Sequence, residues 1–136
     1  MSASLAIQAM IRARLIADPA VMALVAPSDI ADRHGRPARF PSITFGEARE
    51  YALGTVSREA ARVVIDLHLW TDTPGTTDSK TLAAAAHRAI RNDPWVAPGF
   101  NVMSLRSDGT RFMADPDTAD VTHGVASYVV HMTEAA

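Results

Sequence analysis

Helices packed on a β-sheet, an α+β fold in a single domain over residues 1–136, is what this sequence predicts, and three stretches carry the prediction. In residues 61–72 the odd positions read Ala61, Val63, Ile65, Leu67, Leu69 and Thr71, whereas Arg62, Asp66, His68 and Asp72 are among the even ones. A period of two marks a half-buried β-strand. After it, Leu82, Ala85, Ala86, Ala89 and Ile90 recur at the spacing of an amphipathic helix. In residues 122–133, Gly124, Ala126, Tyr128, Val130 and Met132 share one face and His123, Ser127, His131 and Thr133 the other, which predicts a strand antiparallel to a neighbour. Residues 61–72 are expected at the centre of the sheet, with Val63, Ile65, Leu67 and Leu69 facing Leu82, Ala86 and Ile90.

The remaining elements follow in chain order. Residues 4–17 should form a helix capped by Ser2 or Ser4. Ile7, Ile11 and Leu15 share its face, while Leu5 and Ile16 point away, either under a loop or towards another subunit. Asp18 caps a second helical start with Pro19 in its first turn. Residues 27–41 read as a loop or short edge strand, and Pro41 opens a short strand at 42–46. Residues 47–59 are a hairpin loop or a strand extension. Pro74 and Gly75 form the turn before the long helix, which Thr77 or Asp78 should cap and Asn92-Asp93-Pro94 should stop. Residues 95–99 are expected as a turn anchored by Trp95. In 100–105, Phe100 and Val102 argue for one facing, Met103 and Leu105 for the other. Ser107-Asp108-Gly109 signals a turn, with 110–113 pairing back, and 115–120 is an acidic loop.

Composition narrows the chemistry. With 13 Lys+Arg against 15 Asp+Glu the net charge is −2, which predicts no polyanion partner from bulk charge. Lys80 is the only lysine; such an arginine bias suits bidentate contacts and interfaces, but it also arises from genome composition. No cysteine is present, so disulfides, zinc thiolates and thiol nucleophiles are excluded. No signal peptide is recognisable and no apolar run nears the roughly 20 residues that span a bilayer, so a soluble chain made in the cytoplasm is expected, with no membrane partner.

Candidate chemistry is sparse. Arg33, His34, Arg36 and Arg39 could grip phosphate, but no aromatic residues interleave to stack bases, which favours a solvated loop or a protein contact. Five histidines, His34, His68, His87, His123 and His131, show no ligand spacing. His123 and His131 lie roughly 27 Å apart on an extended strand, and His68 meets one of them only if their strands are neighbours. No metal and no cofactor are expected, and the strand histidines read as solvated. Asp66 beside His68 is the minimal acid–base pair. No nucleophile elbow or phosphate-cradling loop accompanies it, so no catalytic residue is expected. Trp70, on the same outward face, reads as cover for a further element or as an interface anchor.

Three segments taken together, Asp18-Pro19-Ala20-Val21 with Leu24-Val25, Phe40-Pro41-Ser42-Ile43-Thr44-Phe45-Gly46, and Arg62-Val63-Val64-Ile65-Asp66-Leu67-His68-Leu69-Trp70-Thr71-Asp72, resemble the tail-completion, or tail-terminator, proteins of long-tailed phages and gene transfer agents. The resemblance continues through the Ala-rich helix and the closing strand 124–130. It implies an α/β sandwich, two to three helices on a mixed or antiparallel sheet, and no catalytic residues. It further implies a structural virion protein, made in the host cytoplasm, assembled as a six-membered ring. Such a ring caps the tail tube, joins it to the head–tail connector or stopper, and leaves a channel through which DNA passes without sequence-specific binding. The alternatives are a head-closure stopper or other neck ring, or a small α+β binding domain or enzyme using the Asp66/His68 face. Within a ring, Arg33, Arg36 and Arg39 on one loop, Asp115, Asp117 and Asp120 on another, and Trp70 are the candidate contact residues, because a head-to-tail interface needs two different patches.

Overall fold

The computed structural model describes residues 1–54, 59–92 and 94–135. Helix α1 spans Ala3–Ala17, α2 Pro19–Met22 and α3 Thr77–Arg91; the strands are β1 Ile30–Ala31, β2 Ser42–Ala52, β3 Ala60–Thr71, β4 Val96–Ala97, β5 Phe100–Ala114 and β6 Thr122–Glu134. They form one mixed sheet in the order β1-β2-β3-β6-β5-β4, parallel only between β1 and β2. The helices cover one face of it.

The alternation read from sequence sets the two faces. Val63, Ile65, Leu67 and Leu69 of β3 and Ala126, Tyr128, Val130 and Met132 of β6 are buried in one cluster with Leu82, Ala86 and Ile90 of α3 and Ile7, Ile11 and Leu15 of α1. Burying each aliphatic chain of this size contributes about 1.5–3 kcal/mol. Ser2 caps α1, its Oγ accepting from Leu5 N at 3.3 Å. Asp18 ends α1 and starts α2, its Oδ1 accepting from Ala20 N and Val21 N. Leu5 stays half exposed, whereas Ile16 packs against the core.

Three expectations need correction. Thr76, not Thr77 or Asp78, is the N-cap of α3, and its side chain makes no capping bond. Asp78 instead accepts a hydrogen bond from Thr73 Oγ1 at 2.8 Å, tying down the preceding turn while its charge still suits the helix N-terminus. Of the two readings of residues 47–59, strand extension holds for 47–52: the strand that begins at Ser42 runs on to Ala52, with a bulge between Phe45 and Ala48. The tip at 55–58, like Asp93 in the expected helix stop, lies outside the described residues. Within 95–99, Val96 and Ala97 form a short strand ahead of the turn, and Trp95 donates its indole N–H to Ile90 O at 3.1 Å.

The largest correction concerns Ser107-Asp108-Gly109, which is not a hairpin turn. β5 runs unbroken through it as a bulge, with Gly109 at φ +100° and both halves paired to β6. Local chemistry is the same for a tight turn and a bulge, since both want a residue at positive φ. The length of β6, able to pair with both halves, decides between them. A second bulge between Val102 and Ser104 resolves the ambiguous facing. It swings Met103 out and puts Phe100, Val102 and Leu105 on the core side together.

Candidate functional site

The face of the sheet away from the helices carries most of the residues with chemical potential. Register aligns Trp70 with Ser42 and His123, and His68 with Thr44 and Val125. Because β3 and β6 are neighbours, His68 and His123 do meet: His68 Nδ1 and His123 Nε2 share a hydrogen bond. Their rings stack at 4.7 Å, and Trp70 lies flat on His123 at 3.9 Å between centroids. The Trp70 indole donates to Thr44 Oγ1 at 3.1 Å.

What covers this cluster is the loop of residues 32–41. Leaving β1 at the sheet edge, it places Arg33, His34 and Gly35 beside Thr44, Trp70 and His123. It then reaches the end of β5, where Arg36 Nη2 lies 2.7 Å from Asp115 Oδ2 and 3.5 Å from Asp117 Oδ2. The loop is therefore a strap pinned across the outward face by an ion pair. Beneath it Trp70 is only 7% exposed, and His68 and His123 are half-buried rather than solvated as expected.

The candidate residues are thus distributed in an unforeseen way. The basic and acidic loops do meet, but Arg36, Asp115 and Asp117 meet within one chain. Arg33, Arg39, Asp117 and Asp120 are exposed, and among the described residues Arg33, Arg39 and Asp120 have no ion pair. Trp70 is covered by its own chain's strap. Asp66 makes no hydrogen bond with His68; it accepts the Ser127 hydroxyl at 2.6 Å. His131 lies 3.3 Å from Ser104 Oγ, and His87 lies 3.1 Å from the Tyr128 hydroxyl on the helix side. Among the described residues no three His, Cys, Asp or Glu side chains gather at metal-binding distance.

Sequence reasoning missed Gly46. A Cβ there would lie 2.1 Å from His68 Nε2, so only glycine admits the imidazole where it now stacks. A glycine inside a strand is the signal that could have found it, since such positions mark a close approach.

Burial pushes the His123 pKa down to about 4, with the neighbouring His68 adding to the effect; burial also lowers His68, partly opposed by Asp66. The unfolded chain then binds protons between about 4 and the ordinary 6.5 that the folded one refuses, so stability falls as pH drops through that window. Thermal midpoints measured from pH 7.5 to 4 should decline, and His123→Gln should flatten the decline.

The chain matches the family model described as tail completion protein gp17 over residues 9–132, from within α1 to the last residues of β6. No curated protein matches it by sequence. Among solved structures it superposes on a chain of the virion of a native gene transfer agent particle, with a TM-score of 0.84 over 97% of this chain and 98% of that one, at 18% identity. That likeness shows a shared fold. With the family model spanning the strap, the stacked cluster and all of the sheet but the last two residues of β6, the chain belongs to the tail completion protein gp17 family, and is a structural tail component rather than an enzyme.

Proposed function

We propose that this protein completes the tail of a phage-like particle. Copies assemble head to tail into a ring, six-membered as the resemblance implies, that caps the tail tube. The ring joins the tube to the head–tail connector or stopper and leaves an open channel in which DNA is not read by sequence. The observation that carries this reading is the family match over residues 9–132; the whole-length superposition on a chain from a gene transfer agent virion supports it.

Within that reading the pinned strap supplies a rigid, arginine-bearing rim. Arg36, held by Asp115 and Asp117, fixes the strap over Trp70, which leaves Arg33, Arg39 and Asp120 to meet other subunits or the tail partners. Rim charges of this kind set register and partner choice more than affinity.

The test is a pair of charge reversals in the particle-producing host. Arg33→Glu with Arg39→Glu should give folded protein and unjoined heads and tails by electron microscopy. Arg36→Glu should instead loosen the strap and lower the melting temperature of the isolated protein, and Asp115→Arg should restore it. Normal joined particles carrying Arg33→Glu/Arg39→Glu would remove the strap from the interface. Particles that join normally without this protein at all would overturn the tail-completion role.

A further inference from the structure

Resting on the ring reading above, the sheet edges supply the two different surfaces that a head-to-tail contact needs. β1 pairs with β2 only at Ile43 and Thr44, and β4 pairs with β5 only at Phe100 and Asn101. Residues 45–52 of β2 and 102–114 of β5 therefore each have one edge without a strand, among the described residues. Free edges are templates for pairing with another chain, and natural proteins blunt them with proline, lysine and other charges, or bulges. Neither stretch contains proline or lysine; each carries charges of both signs and a bulge, which a pairing partner has to match.

Among the described residues, four of the seven large exposed apolar side chains lie at these two edges, and the other three, Met1, Leu5 and Leu24, lie elsewhere. Tyr51 and Leu53 are 36% and 49% exposed at the far end of β2, and Val96 and Met103 are 71% and 65% exposed beside the start of β5. Register puts the two groups at one height: Tyr51 pairs with Arg62, Arg62 with His131, and His131 with Ser104, next to Met103. Complementary patches at equal height close into a ring, whereas patches at unequal height wind into a helix.

Strand direction and charge agree with this. β2, β3, β6 and β5 are successively antiparallel, so β5 runs opposite to β2. A neighbour generated by rotation about an axis along the strands thus brings its β5 antiparallel to β2, the arrangement that forms a ladder. The free stretch of β2 carries Glu47 and Glu50 against Arg49, and that of β5 carries Arg106 and Arg111 against Asp108, opposite in net sign.

We propose that the ring closes by strand addition: the β2 edge of one copy takes the β5 edge of the next, with Tyr51 and Leu53 packing on Met103 and Val96. The occupant of each edge is a second copy of this chain, because both halves of the contact are present on it, at one height and with opposite charge.

The absence of cysteine makes the test clean. Two double variants, Tyr51→Cys/Met103→Cys and Leu53→Cys/Val96→Cys, change only exposed positions. Each is purified, incorporated into particles and oxidised, with subunit number counted independently by native mass spectrometry. The expected result is a ladder of covalent multimers from at least one pair, ending at the ring's subunit number, and no ladder from any single variant. A ring by native mass with no ladder from either pair overturns the edge pairing and leaves the ring standing. A single variant that cross-links to dimers as completely as its double also overturns it, since that is a two-fold contact. No ring in solution or in particles overturns both readings.

Discussion

Replacing Leu67 with Ala is expected to lower the unfolding free energy by about 2–5 kcal/mol, the range for a fully buried leucine cut back to a methyl group. Leu67 has no exposed surface and stands in the ladder between Phe45 of β2 and Ala126 of β6, at the middle of the sheet. The helices on one side and the paired strands on the other restrict collapse around the void, which places the cost towards the upper half of that range. Urea unfolding should show an earlier midpoint at unchanged slope, because the surface exposed on unfolding is nearly the same. Leu67→Met, which keeps the volume, should cost less than about 1.5 kcal/mol. A negligible loss for Leu67→Ala would mean that the outward face of the sheet, and not the helix-covered one, is the core.

The second large effect is expected at Gly46. Adding a methyl group there collides with the His68 ring at Nε2 and Cδ2, at 2.1 and 2.3 Å, and comes within 3.4 Å of the Asp66 carbonyl oxygen. The backbone at Asp66 is held in the β2–β3–β6 ladder, so the imidazole must give way and break its stacking and hydrogen bond with His123. Gly46→Ala should destabilise by about 1–3 kcal/mol, as over-packing does. Removing the ring as well, in Gly46→Ala/His68→Ala, should recover part of that loss, and the coupling in the double-mutant cycle measures the collision. Strictly additive effects would show that the glycine serves the adjacent bulge and not the ring.

These two sites also mark how far local pattern reaches. The facing of Leu67 is legible because alternation along β3 is a property of neighbouring residues, fixed by the pleat itself. The same holds for β6 and for the apolar stripe of α3. Phe100 to Ala114 defeated the pattern because two bulges each shift the phase of side-chain facing, and a bulge differs from a turn only in whether a partner strand continues past it. Resemblance to tail-completion proteins was likewise legible, since order and spacing of short apolar motifs survive in the chain itself.

The amino-acid sequence by itself determined which side of β3, of β6 and of α3 is apolar, and where α1 ends and α2 begins at Asp18. Only the tertiary structure decided what covers the outward face. The sequence placed Trp70 and His68 there correctly, yet their burial comes from the strap at 32–41, whose anchor Asp115 lies far along the chain from Arg36. Alternation records the side to which a residue points; it holds no information on which distant segment will lie over that side. For the same reason the opposite charges at Arg36 and Asp115 could be recognised as complementary from sequence, while their meeting inside a single chain depended on β1 and the end of β5 standing at opposite sides of one face.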